Sequence, residues 1–333
     1  MESRQRVGAL VEVPFILREL GQDPAQIFAA AEIKGEDLKD PESSLSFEEV
    51  GKLFRACVDT TGCQHFGLLV GQRASTSSLG LVGRLMRNAP TFKQAALDLC
   101  FNQPRYVRGS VVYLVIRNET VVWGFGVHHP GMDAVEQFTE GAVAVGANMM
   151  RELVDASPDE VLLARRAPRD LAPYRRFFGV IPQFEAEQNA LIFSTSLLES
   201  PVRGANAKVR ESLENAVAAY WAVKEPSIGA RVARILHARV LFGEASLGAV
   251  ANELSMHPRT LNRRLLAEGK SFRDLVKAAR FEVARQLLTI TNIQVTAIAQ
   301  ALGYAHPSGF TRAFEEWSGV RPSEWPRRTL CRP

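Results

Sequence analysis

The clearest alternation of apolar and polar positions lies in the last third of the chain. The apolar positions that predict one face of a short helix there are Leu247, Val250, Ala251 and Leu254. Ser246 precedes this face and is a suitable N-cap, and Pro258 predicts the start of a second helix. Leu261 and Leu265 are four apart and face inward in that second helix. The pattern therefore predicts a helix, a short turn and a second helix.

The opposite face of the second helix carries a polar set at helical spacing. Arg259, Asn262 and Arg263 stand at i, i+3 and i+4, away from the two leucines. Two forked guanidiniums and one amide are the groups that hydrogen-bond to guanine and adenine edges in a DNA major groove. We therefore expect this face to contact bases.

The same arrangement returns about fifty residues later. The predicted inner face of the first helix consists of Ile298, Ala299 and Leu302. Pro307 begins the next helix, where Phe310 and Phe314 face inward. The positions left on the outer face are Ser308, Thr311 and Arg312. Two helix-turn-helix patterns in one chain are a more specific sequence signal than a single one.

An apolar stripe beginning after Ser271 predicts a long helix between the two units. A helix of about 18 residues is about 27 Å long, at 1.5 Å per residue. Such a spacer holds two base-contacting helices near the ~34 Å repeat of one DNA turn. One chain is therefore expected to contact two successive major grooves.

The first two thirds of the chain mix helical and strand patterns. Residues 91–101 and 135–153 show helical spacing, and residues 189–198 contain a short strand. Alternating Val and aromatic residues at 111–127 predict a hairpin that turns at Asn118. The expected class is α+β, followed by an all-α C-terminal part.

The charge of the 333-residue chain is unevenly distributed. Residues 1–225 carry 24 basic and 28 acidic residues, whereas residues 226–333 carry 16 basic residues, mostly Arg, and 8 acidic ones. A basic module suggests a polyanionic partner, because Lys and Arg contacts to phosphate release condensed counterions. An ordinary solvated surface is the alternative that charge alone leaves open.

Several functional classes find no support in the residues. Four cysteines at irregular spacing argue against a disulfide framework, and the N-terminus shows no signal peptide. The uncharged stretch at 287–311 is too polar to cross a bilayer, so we expect a cytoplasmic protein. No metalloprotease, P-loop or nucleophile-elbow motif occurs, so we expect no enzyme, cofactor or metal site.

Three smaller groups of residues in the first part leave alternatives. Cys57, Cys63 and His65 lie close in sequence, but their spacing is not that of a zinc site, which favours buried structural cysteine. His128 and His129 end a predicted strand, as a surface feature or as a pocket wall. The aromatic residues of the predicted hairpin form sheet core or line a ligand pocket, and they are Tyr113, Trp123 and Phe125.

The C-terminal motifs resemble a known family. The segment from about 228 to 328 resembles the DNA-binding domain of the AraC/XylS family of bacterial transcription regulators. The second unit carries the likeness almost throughout, with Ala-x-x-Leu-Gly-Tyr at 299–304 and Phe-x-Arg-x-Phe at 310–314. It ends in Gly-x-x-Pro-x-x-Trp at Gly319, Pro322 and Trp325. The first unit matches more loosely.

This resemblance implies a seven-helix bundle and a set of base-contacting positions. The matching residues are Arg259, Asn262, Arg263, Ser308, Thr311 and Arg312. The second unit departs from the family at His306, Pro307 and Gly309, which replace longer polar side chains. That departure suggests more phosphate contacts and fewer base contacts in this unit.

The N-terminal part resembles the effector-type domain of the family branch that includes the ornithine-utilisation regulators. The likeness is carried by Phe178, Gly179, Phe184, Asn189 and the ending at 198–201. The expected divisions are a sensing domain at 1–205, a helical linker at 206–227 and the DNA-binding domain at 228–333. The linker helix is either a core helix of the sensing domain or a dimer helix.

Together these features predict a ligand-responsive transcription regulator. The partners that the resemblance implies are double-stranded promoter DNA, RNA polymerase, an unidentified small-molecule effector and a second copy of the chain, with activation as the direction of control. A non-specific or architectural nucleic-acid-binding protein is the competing interpretation. Arginines concentrated at base-contacting positions favour the regulator.

Overall fold

The computed structural model describes residues 4–106, 110–117, 119–127, 129, 132–224, 227–291 and 293–325. Two short strands near the N-terminus pair with each other, β1 (Arg4–Arg6) and β2 (Ser44–Ser46). The helices that precede the main sheet are α1 (Val13–Glu19), α2 (Pro24–Ala30), α3 (Phe47–Thr61), α4 (Phe66–Arg73), α5 (Gly80–Arg87) and α6 (Phe92–Tyr106).

The main sheet is antiparallel and has four strands. They are β3 (Ser110–Arg117), β4 (Thr120–Val127), β5 (Glu160–Leu162) and β6 (Asn189–Ser194), in the spatial order β3-β4-β6-β5. The predicted hairpin is confirmed, because Arg117 and Thr120 are cross-strand partners. Asn118, at its turn, lies outside the described residues. The predicted strand at 189–198 is confirmed as β6.

Helix α7 (Val135–Val154) packs against the sheet, and α8 (Ala172–Phe178) lies farther along the chain. Helices α7 and α4 cross so closely that the contact needs glycine. A Cβ added at Gly67 would lie 1.9 Å from the carbonyl oxygen of Gln137, and one at Gly71 would lie 2.4 Å from that of Gly141. Any side chain at these two positions would separate the helices.

The C-terminal part is helical. Its elements are α9 (Ala207–Lys224), α10 (Ile228–Arg239), α11 (Leu247–Glu253), α12 (Pro258–Ala267), α13 (Phe272–Ile290), α14 (Val295–Ala301) and α15 (Pro307–Ser318). The expected α+β part followed by an all-α part is therefore confirmed. From residue 227 to 325 the described chain holds six α-helices and a 3-10 turn at Val240–Phe242, where the resemblance implies seven helices.

The C-terminal core continues into the first part of the chain. Val232 and Ile235 on α10 share one apolar cluster with Phe101 on α6 and with Val111 and Tyr113 on β3. Residues 225 and 226, at the expected boundary, lie outside the described residues. In the described part of the chain, no helix combines the length and the apolarity needed to span a bilayer.

Candidate DNA-contacting surface and ligand cavity

The first helix-turn-helix unit consists of α11 and α12, at the predicted positions. Ser246 caps α11 by accepting a hydrogen bond from the Ala249 amide at 3.2 Å. Helix α12 begins at Pro258, and the His257 ring accepts a bond from the Arg259 amide at 3.2 Å. Leu261 and Leu265 are fully buried, as the spacing predicts. These contacts orient α12 with its polar face outward.

The second unit consists of α14 and α15. Ile298, Ala299 and Leu302 are buried on α14, and Phe310 and Phe314 are buried on α15. Helix α15 begins at Pro307, as predicted, and ends at Gly319, which has a φ of 76°. A positive φ at this position favours glycine over residues with a side chain.

The terminal Trp of the family motif attaches α15 to α13. The Trp325 indole nitrogen donates to Thr289 Oγ1 on α13 at 2.9 Å. The Trp325 ring stands edge-on to Phe314, with 5.4 Å between ring centroids. Because Thr289 and Phe314 belong to different helices, Trp325 holds the second unit against the spacer helix.

Five of the six predicted base-contacting residues are exposed, and Thr311 is half-buried. The described chain contains no ion pair to the guanidiniums of Arg259, Arg263 or Arg312. The Thr311 hydroxyl donates to the Pro307 carbonyl at 3.0 Å, so it is already engaged within its own helix. We call this set of six residues the DNA-contacting surface, after their predicted role: Arg259, Asn262, Arg263, Ser308, Thr311 and Arg312.

A cavity of about 160 Å³ lies in the N-terminal part, between α7, the sheet and the segment at residues 5–10. Its wall is mostly apolar and includes Phe54, Leu99, Trp123, Phe138 and Met149. Gly71, Gly141 and Gly146 also border the cavity. A Cβ at Gly71 or Gly141 would lie 2.4 or 2.9 Å from a carbonyl oxygen of the opposite helix, so these two glycines allow the close crossing of α4 and α7.

Of the three aromatic residues of the hairpin, one belongs to the sheet core and two line the cavity. Tyr113 is fully buried and its hydroxyl donates to Gln188 Oε1 at 2.8 Å, so it belongs to the core. Trp123 and Phe125 line the cavity. Of the histidine pair, His129 stacks on Phe47 with 5.7 Å between ring centroids, and His128 lies outside the described residues.

Sequence reasoning did not identify the remaining cavity residues. Gln5 through Leu10 reach the cavity from the N-terminal segment, far from α7 in sequence. One signal was available, because Gly141, Ala142 and Gly146 give one side of a long helix unusually small side chains. Helical spacing of small residues predicts a close approach or a void.

The cavity and the C-terminal helices share a wall. Leu99 and Gln103 on α6 and Val112 on β3 line the cavity. On the same two elements, Phe101 and Val111 belong to the apolar cluster of the C-terminal helices. A shift of α6 or β3 would therefore change both the cavity and the packing of the C-terminal helices.

Polar contacts reinforce this wall. The Arg239 guanidinium of α10 lies 5.6 Å from the centroid of the Phe101 ring. Lys93 on α6 forms an ion pair with Glu244 at 2.5 Å. Asp98 on α6 accepts from Arg210 on α9 at 2.8 Å. Helix α6 is thus bound to both α9 and α10.

The linker helix α9 packs on its own chain. Leu213 and Val217 are buried beside Leu85 of α5. This packing supports the interpretation of α9 as a core helix. Val209 and Val223 remain 41% and 82% exposed.

The Cys57, Cys63 and His65 group shows no sign of a functional site. Cys57, Cys63 and Cys100 are free thiols in the described chain, and Cys331 lies outside it. Burial raises the pKa of the Cys57 thiol and lowers the pKa of His65. Protonated thiols are poor nucleophiles and poor metal ligands. No group of three or more potential metal ligands occurs among the described residues.

A buried carboxylate lies beside this group. Glu140 on α7 is fully buried and accepts from the Leu68 amide at 3.0 Å, from Arg165 at 2.6 Å and from the Tyr174 hydroxyl at 2.7 Å. Burial raises the pKa of Glu140, and the Arg165 guanidinium opposes that effect. Arg165 also donates to the Gln64 carbonyl at 2.9 Å. This network joins α4, α7 and α8.

Comparisons with known proteins agree with this arrangement. Residues 21–202 match a family model described as the arabinose-binding N-terminal domain of AraC transcription regulators, and residues 250–328 match a helix-turn-helix domain. The regulator VirS of Mycobacterium tuberculosis is 26% identical over 316 residues, which cover 93% of this chain and 92% of that protein. The ornithine utilization regulator of Pseudomonas aeruginosa is 27% identical over 316 residues, which cover 93% of this chain and 92% of that protein.

A solved structure is also similar. The crystal structure of the transcriptional regulator CdpR from Pseudomonas aeruginosa is 21% identical and covers 93% of this chain and 97% of that one, with a TM-score of 0.44.

Proposed function

Since the chain belongs to the AraC family of transcription regulators, which are not enzymes, we propose that it binds promoter DNA sequence-specifically under the control of a small-molecule effector. The chain is a helix-turn-helix regulator with an arabinose-binding-like N-terminal domain. The proposal adds the base-contacting residues, the effector control, activation of transcription and contact with RNA polymerase. It also adopts the divisions at 1–205, 206–227 and 228–333.

The observation that carries the proposal is the exposure of Arg259, Asn262 and Arg263 on α12 and of Arg312 on α15. Arg259, Asn262 and Arg263 are exposed on one face of α12, and Arg guanidiniums without carboxylate partners are free to bind guanine or phosphate. The spacer α13 has 19 residues and is therefore about 28 Å long. This length suits two helices that enter successive major grooves.

The experiment is recovery of genomic DNA bound by the purified full chain, followed by footprinting of the best sites. We expect a two-part site with half-elements about 10 base pairs apart. Replacing Arg259 and Arg263 by alanine should remove protection of one half-element. Replacing Arg312 should weaken protection of the other half-element. Recovery without sequence preference would instead identify a non-specific nucleic-acid-binding protein.

Effector control rests on the cavity and on the wall that it shares with the C-terminal helices. A ligand that enters the cavity would press on Leu99 and Val112, whose elements pack against α10 through Phe101 and Val111. Ligand binding would then change the orientation or freedom of the DNA-contacting surface. Transcription from the recovered promoter with purified RNA polymerase tests activation directly.

The proposal includes a homodimer, formed through the exposed side of α9. Val209 and Val223 are available there, whereas Leu213 and Val217 are already covered by the same chain. We expect Val223→Asp to halve the mass measured by sedimentation equilibrium, with the exposed Val320→Asp as the matched control. A wild-type mass of 36.7 kDa, that of one chain, would refute the dimer.

A further inference from the structure

The cavity restricts which effectors the protein can accept. From its lining, we propose that the effector is a neutral and largely apolar molecule, about the size of one six-membered ring, that donates one hydrogen bond to Gln5. This inference rests on the proposed effector control and names the chemical class that the same site takes.

The size follows from the volume. The cavity measures about 160 Å³. A dry apolar cavity of about 150 Å³ in another protein holds benzene. A single ring with a small substituent therefore fits.

The neutral character of the proposed ligand follows from the pairing of Arg6, the one charged residue among the described residues of the wall. Arg6 is paired with Glu42 through Nη2 at 2.6 Å and Nε at 3.1 Å, and its Nη1 donates to the Ser78 carbonyl. The guanidinium charge is thus neutralised before a ligand arrives. A carboxylate or an ammonium group placed beside this wall would lose its hydration without gaining an ionic partner.

The apolar character of the proposed ligand follows from the small number of polar side chains in the described lining, which are Gln5, Arg6, Ser78 and Gln103. Gln103 donates to the Ser110 carbonyl at 2.9 Å and to the Ser110 hydroxyl at 2.8 Å. A sugar carries several hydroxyl groups, and each one buried without a partner loses its hydrogen bonds to water without replacement. The lining therefore disfavours arabinose, although the matching domain model is described by that sugar.

One polar atom of the wall is unsatisfied. Gln5 donates through Nε2 to the Arg6 carbonyl at 2.7 Å, but Gln5 Oε1 is buried and has no hydrogen-bond partner. Buried polar atoms normally have partners. Gln5 borders the cavity but its Oε1 has no surface open to it, so we infer that the Gln5 side chain turns on ligand binding and brings this oxygen to a donor on the ligand. An O–H or N–H group on the ligand supplies that donor.

The test uses the full-length protein and probes of matched shape. Cyclohexanol is neutral with one donor, cyclohexane has no donor, and cyclohexanecarboxylate is charged. L-Arabinose and L-ornithine represent polar effectors. Binding is measured by the rise in the unfolding temperature and by the fluorescence of Trp123, with Trp123→Phe to assign the signal.

We expect cyclohexanol to bind more tightly than cyclohexane, and the other three probes not to bind. Gln5→Leu should reduce the affinity for cyclohexanol about two- to tenfold and leave cyclohexane unchanged, since it removes one acceptor. Ala142→Phe should fill the cavity and abolish binding of both, whereas Ala29→Phe, at an exposed position of α2 outside the cavity wall, should not.

Two results would overturn the inference, and they differ in what they say about regulation. Binding of arabinose or ornithine alone would refute the apolar class and leave effector control standing. If no probe binds, the neutral apolar class is refuted and effector control through this cavity loses its support. DNA footprinting of the same preparation shows independently whether the DNA-binding proposal holds.

Discussion

Replacing Glu140 by alanine is expected to lower the free energy of unfolding by about 3–5 kcal/mol. The carboxylate is fully buried and serves three donors on three different segments, the Leu68 amide, Arg165 and Tyr174. Alanine would leave the Arg165 guanidinium, only 11% exposed, without its ionic partner. The start of α4 would also lose the carboxylate that compensates its free amides.

Urea unfolding of the purified protein, followed by circular dichroism, measures this loss. Glu48→Ala is the matched control, because Glu48 is exposed and its 3.4 Å ion pair with Lys52 is screened by solvent and should contribute little to stability. A double replacement of Glu140 and Arg165 by apolar residues should recover part of the stability, since no charge remains buried alone. If Glu140→Ala and Glu48→Ala lowered the free energy of unfolding by equal amounts, the network around Glu140 would not make the expected contribution to stability.

Replacing Arg263 by alanine is expected to weaken binding to the cognate site by about 1–3 kcal/mol, which is about 5- to 150-fold. The same variant should lose discrimination at one base pair of the site, because a guanidinium that binds guanine through two hydrogen bonds selects that base. Arg263 is exposed on the face of α12 opposite the buried Leu261 and Leu265. Titration of the cognate site and of single-base variants measures both effects.

The neighbouring Arg264 supplies a matched control. It is exposed on the same helix and has the same charge, but a rotation of about 100° per residue places it to the side of the DNA-contacting surface. We expect Arg264→Ala to change affinity little and specificity not at all. If Arg263→Ala instead weakens binding to all DNA sequences equally, Arg263 contacts a phosphate. The slope of the logarithm of the binding constant against the logarithm of the salt concentration should then fall in magnitude by about one.

The helices of the C-terminal part were predictable because their signals are local. Ser246 and Pro258 mark helix starts within a few residues of the apolar positions that they precede, and Phe310 and Phe314 define an inner face by spacing alone. The signal at the start of α3 is equally local, because Ser46 and Glu49, three residues apart, cap the helix by reciprocal hydrogen bonds. Which side chains face outward therefore followed from the sequence.

The network around Glu140 was not predictable in this way. Acidic residues on helices are normally exposed, and nothing within one or two turns of Glu140 indicates burial. Its partners Leu68 and Arg165 lie 72 and 25 positions away along the chain. Only the close crossing of α4 and α7 at glycines brings these groups together.

The two helix-turn-helix units, the spacer helix, the hairpin and the outer-face positions of the six predicted base-contacting residues follow from the amino-acid sequence alone, since each depends on periodicity and caps within a few turns of chain. The cavity and the contact between the two parts of the chain depend instead on tertiary packing. The cavity is enclosed by residues 5–10, by Trp123 on β4 and by Gly146 on α7, which are far apart in sequence. Its volume and polarity depend on how these distant segments pack, and so does the wall that α6 and β3 share with the C-terminal helices.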